Sequence, residues 1–409
     1  MLLPFINVVL VIFSLAIGPT VHAEVDDVVL GKSRSFPAAP SISQASNDDY
    51  IVWSNSGGYE SFLPFRTVKS GNPTSLSIAV KPAPISYEFM GKTLSLKDYL
   101  DNRRITSLLI IKDGVVHHEQ YQYNRNDRHR FNSASMGKSV LGILVGLAIE
   151  DGAIKSVDDL AVKYVPELQG TVFEKLSIKH LLTMSTGLAW SEGTASGALY
   201  RKMLQLMDQT GGLDVILGFK DIKVSSDPGT AYLYSSLDSE LLGRVLAAAV
   251  KKNVSAYLEE KIWTPMGAES HAVWYTDRKS IERTSCCIGA TSRDFARIGG
   301  MLANQGQWNG KQIIPVEWLK EMTKIHGEHL SKVAIAREQR MGYGYHIWLM
   351  APHQIALRGH RGQVIFIDQL KNIVMVQTAV YGPSQNSMTN FQELDALWAG
   401  VVASFSANQ

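Results

Sequence analysis

The stretch Phe131-Asn132-Ser133-Ala134-Ser135-Met136-Gly137-Lys138-Ser139-Val140 decides the fold at the centre of this chain. Small and polar residues precede Ser135, and an apolar segment with helical spacing, Val140 to Ala148, follows it. The pattern predicts that Ser135 lies where a loop becomes a helix. Because residues three apart are neighbours on a helix surface, Lys138 then lies one turn further on the same face.

This arrangement suits nucleophilic chemistry. A serine hydroxyl is a weak nucleophile until a base takes its proton, and a lysine three residues on is close enough to assist. The positive end of the predicted helix favours both an alkoxide on Ser135 and a neutral amine on Lys138. Ser-x-x-Lys is a motif of acyl-transferring serine enzymes, and the chain contains this spacing once. Because two fixed residues arise by chance about once or twice in such a chain, the predicted helix start carries the interpretation.

A second candidate is Tyr234, which lies between a Pro228-Gly229 turn and a predicted apolar helix, Leu237 to Val250. A lysine ammonium nearby would favour its phenolate. Tyr234 could then take the proton of Ser135 and later protonate the leaving group. The alternative is a tyrosine that only packs at the start of a helix.

An acyl-transfer site also needs donors for the oxyanion. We expect the backbone N–H of Ser135 to be one donor and a neighbouring strand to supply the other. The segment Arg358-Gly359-His360-Arg361-Gly362-Gln363 lies between two predicted strands, and its glycines permit close approach of the backbone to a ligand. An ordinary turn, with His360 as an exposed loop residue, is the alternative.

Secondary-structure patterns indicate the fold class. The predicted elements are a helix from Ser95 to Asn102, a hairpin of Ser107–Ile111 and Val115–Tyr121, mainly helices from Ile178 to about Gly267, a helix from Ser292 to about Ala303, a helix starting at Pro315, strands at Tyr343–Leu349, Gln354–Leu357, Val364–Ile367 and Ile373–Val380, and a helix from about Asn390 to Ala403. Strands at both ends predict an α+β fold: an antiparallel sheet completed by both ends, flanked by helices, with an inserted all-helical lobe at approximately 140–285. Residues 24 to about 74 are expected to form an irregular wrap. Residues 24–409 are long enough for one large domain or two closely packed ones.

The first residues are typical of an export signal. Met1 to Gly18 is almost entirely apolar and uncharged, and Val21 and Ala23 are small residues at the positions that signal peptidase reads. We therefore expect Met1–Ala23 to be cleaved and the protein to be exported, either periplasmic or secreted. An uncleaved anchor is the alternative. No later apolar run is long enough for a membrane span.

Composition argues against several classes of protein. The formal net charge is +2 and no block of Lys or Arg stands out, so nucleic acid is not an expected partner. The histidines lack zinc-site spacing, and no phosphate-binding glycine loop is present, so we expect no metal and no cofactor. Cys286 and Cys287 are adjacent. Since a bridge between neighbours is strained, we expect two small buried side chains and no disulfide. Oligomeric state stays open.

Taken together, these motifs resemble the serine beta-lactamase and penicillin-binding superfamily, in its class C-like branch. Further segments carry the likeness: His180 to Leu188, Tyr234-Ser235-Ser236, Leu241-Leu242-Gly243, Ala290 to Arg297 and Trp308 to Lys311. Arg358 to Ile365 resembles the corresponding segment of 6-aminohexanoate-dimer hydrolases and related esterases. The resemblance implies that Ser135 is the acylated nucleophile, Lys138 its activator and Tyr234 the general base and acid.

Two departures from the family pattern bear on the substrate. Ser236 stands where lactamases have an asparagine that holds a substrate amide, and no lysine stands in the third motif, where it would attract a carboxylate. Both weaken the case for a beta-lactam or a D-alanyl peptide. His360-Arg361-Gly362 keeps the spacing of that motif and would make the Gln363 N–H the second oxyanion donor. The alternative uses Gly359 and the His360 N–H.

The residues and the resemblance together predict an exported serine hydrolase that cleaves a small-molecule ester or amide through an acyl-enzyme on Ser135. Ser236, His360, Gly362 and Gln363 are expected to contact the substrate or its oxyanion. Trp190, Glu192 and Tyr200 are further candidates for the cleft, with ordinary loop packing as the alternative. A beta-lactamase or D,D-peptidase, and a binding module without turnover, are the alternatives. The natural substrate, and the preference between ester and amide, stay open.

Overall fold

The structure is a computed structural model of the whole chain. It describes residue 60 and residues 63–192, 197–331, 333–335, 338–339, 341–381 and 388–406. The predicted export signal, Met1–Ala23, lies outside these residues. Within the described ranges, no helix combines the length and apolarity that a membrane span requires.

The elements follow one another along the chain in a mixed order of strands and helices. The strands are β1 (Phe65–Val68), β2 (Ser77–Ile78), β3 (Ser86–Phe89), β4 (Lys92–Ser95), β5 (Ile105–Lys112), β6 (Val115–Tyr121), β7 (Phe131–Asn132), β8 (Ala272–Tyr275), β9 (Ile288–Ala290), β10 (Gln307–Trp308), β11 (Lys311–Gln312), β12 (Ala334–Ile335), β13 (Glu338–Gln339), β14 (Gly342–Tyr343), β15 (Trp348–Ala351), β16 (Gln354–Gly359), β17 (Gln363–Asp368) and β18 (Ile373–Ala379). The α-helices are α1 (Leu96–Asn102), α2 (Met136–Glu150), α3 (Ile178–Leu182), α4 (Ala198–Gln209), α5 (Asp214–Leu217), α6 (Ser236–Val250), α7 (Val254–Leu258), α8 (Ser292–Ala303), α9 (Val316–Met322) and α10 (Met388–Ser404). A π-helical turn, Glu259–Trp263, continues α7, and short 3₁₀ turns occur at Ala161–Lys163, Pro166–Leu168, Glu328–Leu330 and His360–Gly362.

The larger sheet joins strands from both ends of the described chain. Its strand order is β14-β15-β16-β17-β18-β5-β6-β2, and all neighbours are antiparallel except β2 and β6. The join is β18 against β5, with Ile373 opposite Lys112. The predicted α+β fold, with a sheet completed by both ends, is confirmed.

Helices cover both faces of this sheet. In β5, Leu109 and Ile111 belong to the core on the side of α2 and α8, whereas Leu108 and Ile110 belong to the core on the side of α10. Successive side chains of a strand point to opposite faces, so a strand that is covered on both sides needs apolar residues throughout. The run Ser107–Ile111 showed this pattern in the sequence and lies within β5.

The predicted helices between the two groups of strands are present, with one difference. A second sheet, in the order β1-β8-β9-β7, brings a strand into the predicted helical range at Ala272–Tyr275 and into the predicted irregular wrap at Phe65–Val68. These strands are short, and their pairing joins distant residues, for example Phe65 and Tyr275. A run of three or four residues shows no clear periodicity, so such strands leave little signal in the sequence.

The expectation for the two cysteines is wrong. Cys286 and Cys287 are joined by a disulfide, and both are half-buried, not fully buried. The physical reason lies in the backbone, because Cys287 adopts a left-handed conformation with φ 79°. Residues other than glycine rarely adopt this conformation, so the local sequence does not predict it.

Candidate active site

Ser135 lies at the start of a buried helix, as its surroundings in the sequence predict. It directly precedes α2, and its side chain makes no capping hydrogen bond to the helix. The pairing of β7 with β9 fixes the position of the loop that carries Ser135. The Ser133 N–H donates to the Ile288 carbonyl at 2.7 Å, and the Ile288 N–H donates to Ser133 Oγ at 2.9 Å. The Ser135 hydroxyl is therefore held at the edge of β7 and β9 and faces a cavity.

Lys138 is buried directly behind Ser135. Its side chain is 2% exposed. The Lys138 Nζ donates to Ser135 Oγ at 3.2 Å, to Ser236 Oγ at 3.2 Å and to the Ser285 carbonyl at 2.6 Å. A buried ammonium needs hydrogen-bond acceptors to offset its lost hydration, and this lysine has three. The structure thus brings Ser236, which is distant in sequence, next to the Ser135–Lys138 pair.

Tyr234 lies on the other side of Lys138. The Lys138 Nζ is 5.0 Å from the centroid of the Tyr234 ring, and that ring stacks on Trp348 at 5.9 Å between centroids. The loop before α6 holds it there, since the Leu233 N–H donates to the Met184 carbonyl at 2.8 Å. Tyr234 is thus beside the ammonium, as predicted, while its role as a proton carrier stays a prediction.

Ser135, Tyr234 and Ser236 line one cavity of about 540 Å³ between the helical lobe and the larger sheet, and Lys138 lies behind its wall. Its lining comes from widely separated parts of the chain: Ser135, Glu192, Gly197, Tyr200, Arg201, Leu204, Tyr234, Ser236, Ser285, Cys286, Trp348, Arg358, Gly359, His360, Arg361 and Phe391. A larger open groove along α10, lined by Trp398 among others, contains none of these side chains. The cavity around Ser135 is therefore the candidate active site.

The two alternatives for the third motif occupy different places. Strand β16 ends at Gly359, where an added Cβ would collide with the Ser133 carbonyl oxygen, and His360 lines the cavity. Gly362 instead packs against Tyr381 across the turn, with φ 91°, and it is not among the residues that line the cavity. The geometry favours Gly359 and His360 over the register that the sequence favoured. The reason is that β16, not β17, runs up to the nucleophile loop.

Gln363 and the weaker candidates also have defined places. The Gln363 side chain is buried and donates to the Ala379 carbonyl at 2.6 Å, away from the cavity. Glu192 and Tyr200 line the cavity, and Glu192 accepts a hydrogen bond from the Ser236 N–H. Trp190 packs against Phe219 at 5.5 Å between ring centroids.

Sequence reasoning missed several residues of the lining. Ser285 and Cys286 reach the site on the turn that precedes β9, and Trp348 reaches it as the first residue of β15. Arg201 and Phe391 come from α4 and α10. None lies in a motif with its own spacing, so only the packing of the two lobes brings them to Ser135.

Two buried groups behind the site have strongly shifted pKa values. Burial, assisted by the Lys138 charge, lowers the pKa of His346 to about 3. The neutral imidazole contacts the Lys138 carbonyl through Nδ1 at 3.1 Å. Burial also raises the pKa of Asp238 to about 8, although Ser235 and Thr186 donate hydrogen bonds to its carboxyl group.

The pKa of Asp238 predicts a pH-dependent stability. Its folded value of about 8 lies above the unfolded value of about 3.9, so the folded protein binds more protons between these values. This contribution to the free energy of unfolding is present below about pH 4 and is lost as the pH rises to about 8. Asp238→Asn removes the titration, and each pKa unit corresponds to about 1.4 kcal/mol. We expect its stability, relative to the unmodified protein, to increase between pH 5 and pH 9.

Urea unfolding at pH 5, 7 and 9 measures this effect. The matched control is Asp221→Asn, because the Asp221 side chain is 84% exposed. The control should follow the pH dependence of the unmodified protein. Identical pH slopes for Asp238→Asn and the unmodified protein would contradict the shifted pKa.

Comparison with known proteins identifies the family to which this chain belongs. Residues 96–387 match the sequence profile of the family described as Beta-lactamase. The 6-aminohexanoate-dimer hydrolase of Paenarthrobacter ureafaciens is 24% identical over 237 residues, which cover 56% of this chain and 59% of that protein. The chain thus spans less than two thirds of the length of this relative.

Solved structures agree at the level of the fold. A Bacillus anthracis protein assigned to the 6-aminohexanoate-dimer hydrolases superposes with a TM-score of 0.76 at 21% identity, covering 90% of this chain and 98% of that one. EstCE1, a hydrolase with promiscuous acyltransferase activity, superposes with a TM-score of 0.61 at 15% identity, covering 75% and 96%. With more than half of its length matched by the family profile, the chain belongs to the beta-lactamase family of serine hydrolases.

Proposed function

We propose that this protein hydrolyses an ester or amide bond through an acyl-enzyme on Ser135. The observation that carries the proposal is the hydrogen bond from Lys138 Nζ to Ser135 Oγ at 3.2 Å, at the wall of a 540 Å³ cavity. A serine that is exposed to a cavity and in contact with a buried lysine has the arrangement of an activated nucleophile.

The proton moves between Tyr234, Lys138 and the substrate. In acylation, Ser135 Oγ bonds to the substrate carbonyl carbon while its proton passes to Tyr234, assisted by Lys138. The tetrahedral intermediate collapses, and the leaving amine or alcohol departs with that proton. Water then attacks the ester of Ser135 by the reverse route and releases the acid. The ring of Tyr234 beside the Lys138 ammonium supports this assignment.

The oxyanion is stabilised by backbone N–H groups of Ser135 and His360. Preorganised donors of this kind lower the barrier because charge develops on the carbonyl oxygen in the transition state. Gly359 permits the required approach, since any side chain there would meet the Ser133 carbonyl oxygen.

The substrate class is a short ester or an open-chain amide in preference to a beta-lactam. Ser236 presents only a hydroxyl, which is already engaged by Lys138, where an asparagine would reach a substrate amide. The similarity to a 6-aminohexanoate-dimer hydrolase supports amide cleavage, and the likeness to EstCE1 concerns the fold. Arg358 and Arg361 line the cavity and would favour a carboxylate, which keeps a beta-lactam as the second candidate. His360 also lines the cavity, but burial and the neighbouring Arg361 lower its pKa and disfavour the charged imidazolium.

A comparison of substrates decides between the two candidates. We expect the purified protein to hydrolyse a nitrophenyl butyrate at least tenfold faster, by kcat/KM, than a chromogenic cephalosporin; a tenfold ratio corresponds to about 1.4 kcal/mol of transition-state stabilisation. Rapid cephalosporin turnover without esterase activity would reverse the order. Stoichiometric acylation without release would instead support a binding module.

We also propose that the protein acts outside the cytoplasm. The Met1–Ala23 pattern supports export, and the Cys286–Cys287 disulfide is compatible with an oxidising compartment. Mass analysis of the protein from a secreting host should find a chain that begins at Glu24. An intact Met1 on the exported protein would contradict cleavage.

A further inference from the structure

The Cys286–Cys287 disulfide lies against the nucleophile loop. The Cys287 N–H donates to the Ala134 carbonyl at 3.3 Å, so the pair contacts the residue before Ser135. The Cys286 carbonyl lies close to the start of α2, where a Cβ on Gly137 would be 3.0 Å away from it. The two cysteines therefore touch the chain on both sides of Ser135.

The same turn also holds Lys138. The carbonyl of Ser285, which directly precedes the pair, accepts the shortest of the hydrogen bonds from Lys138 Nζ, at 2.6 Å. The Ser285 N–H in turn donates to Glu240 Oε1 at 2.8 Å, and Trp274 Nε1 donates to the Cys286 carbonyl at 3.0 Å. A shift of this turn would therefore move the acceptor of the lysine as well as the support of the serine.

One of the two bonded cysteines, Cys287, has a backbone conformation that is uncommon for residues other than glycine. Cys287 has φ 79°, in the left-handed region that glycine favours. A covalent bond between the two side chains removes many of the other conformations that the turn could adopt. Without that bond, nothing in the residue type favours the left-handed conformation.

The pair can be reached by small molecules. Both cysteines are half-buried, and Cys286 lines the cavity that contains Ser135. A reductant small enough to enter the cavity can therefore approach Cys286 from the substrate side.

We propose that the Cys286–Cys287 disulfide is a redox modification site that positions Ser135 and Lys138, and that its reduction by a small dithiol slows acylation. This inference rests on the proposed function of Ser135. The cysteines are positioning residues, since they act through the backbone of the turn and not on the substrate.

The redox step balances as a thiol–disulfide exchange. One thiolate of the dithiol attacks a sulfur of the pair, which breaks the Cys286–Cys287 bond, forms a mixed disulfide and leaves the other cysteine as a thiolate that takes up a proton. The second thiol of the reagent then attacks the mixed disulfide. The products are two cysteine thiols and a cyclic disulfide, so two electrons pass from the reagent to the protein.

The test compares the oxidised full chain with the same protein reduced by dithiothreitol. Intact mass after alkylation counts the thiols. The rate at which a fluorophosphonate phosphonylates Ser135 serves as the readout of the nucleophile's reactivity in the acylation step. Because a displacement of about 1 Å can cost about 100-fold in rate, we expect acylation to slow by about 10- to 100-fold on reduction and to recover on reoxidation. The KM for a nitrophenyl ester should change less than kcat.

Two double variants separate positioning from general stability. Cys286→Ala with Cys287→Ala removes the bond and should acylate as slowly as the reduced protein. Cys286→Ala with Cys287→Gly also removes the bond but allows the left-handed conformation freely. We expect the glycine variant to acylate faster than the alanine variant, and both to be insensitive to dithiothreitol.

The outcomes distinguish this inference from the proposed function. The inference is overturned if the oxidised protein, with no free thiol, and the reduced protein, with two, react with the fluorophosphonate at equal rates. It is also overturned if the slowdown matches the fraction of unfolded protein measured by circular dichroism, or if both thiols stay free after oxidation. If Ser135 is labelled in neither redox state, the proposed function fails instead. Amide hydrogen exchange of the peptide spanning 131–139 then decides the positioning claim, since reduction should accelerate exchange there and unchanged exchange would refute it.

Discussion

Ser135→Ala should reduce hydrolysis of an activated ester to near the uncatalysed rate, a loss on the order of 10⁶-fold in kcat where the nucleophile is essential. The substitution removes Ser135 Oγ, the atom proposed to form the acyl bond, while the hydrogen bonds from Lys138 to Ser236 and Ser285 stay possible. The site should therefore keep its shape and lose its chemistry. Fluorophosphonate labelling, followed by intact mass, should fall to zero in the same variant.

The matched control is Ser406→Ala. Ser406 is exposed beyond the end of α10, and among the described residues its side chain bonds to Val402 and Lys371, away from the cavity around Ser135. This variant should keep full turnover and full labelling. If Ser135→Ala is still labelled with undiminished stoichiometry, Ser135 is not the nucleophile.

Lys138→Met should lower kcat/KM by about 10²- to 10⁴-fold, the usual contribution of a positioned acid–base group. Methionine is similar in length and suits the buried position, but it has no donor for Ser135 Oγ. The Ser285 carbonyl also loses its bond to Nζ, so a decrease in the free energy of unfolding of about 1–3 kcal/mol is expected from the unsatisfied acceptor. The kinetic loss should persist under conditions in which the variant is fully folded.

Turnover of the nitrophenyl ester and urea unfolding of the same samples measure the two effects separately. Lys155→Met provides the control, because Lys155 is exposed and lies outside the cavity. It should behave as the unmodified protein does. A Lys138→Met variant that retains turnover within tenfold would exclude Lys138 as the activator of Ser135.

Local patterns in the chain were sufficient for much of the fold. The helix after Ser135, the hairpin of β5 and β6, and the capped helix at Ser95 each depend on neighbouring residues, and each was predicted near its observed bounds. Helix start signals and strand alternation act over a few residues, so one sequence displays them. The strand predicted at Tyr343–Leu349 is instead divided into β14 and β15, because His346 between them adopts φ 53°.

The second sheet and the cysteine pair show where local patterns stop. Strand β1 finds its partner β8 about 200 residues further on, and its four residues are too few to reveal a period. Cys287 forms a disulfide with its neighbour in a left-handed conformation that packs against Ala134, a residue distant in sequence. In each case the stabilising contact joins residues that are distant in sequence, so the segment's own residues do not reveal the structure it adopts.

The candidate active site also has features that the local sequence predicts and features that depend on the tertiary structure. Ser135 and Lys138 are three residues apart on one helix, so their proximity follows from helix geometry and could be inferred from the sequence alone. The choice between Gly359 and Gly362 as the glycine of the third motif could not be inferred from the sequence, because both lie in the same six-residue segment between two strands. Only the assembled sheet sets Gly359 against the Ser133 carbonyl and turns Gly362 towards Tyr381. Spacing within a helix is set by backbone hydrogen bonds, whereas contacts between segments depend on how the whole core packs.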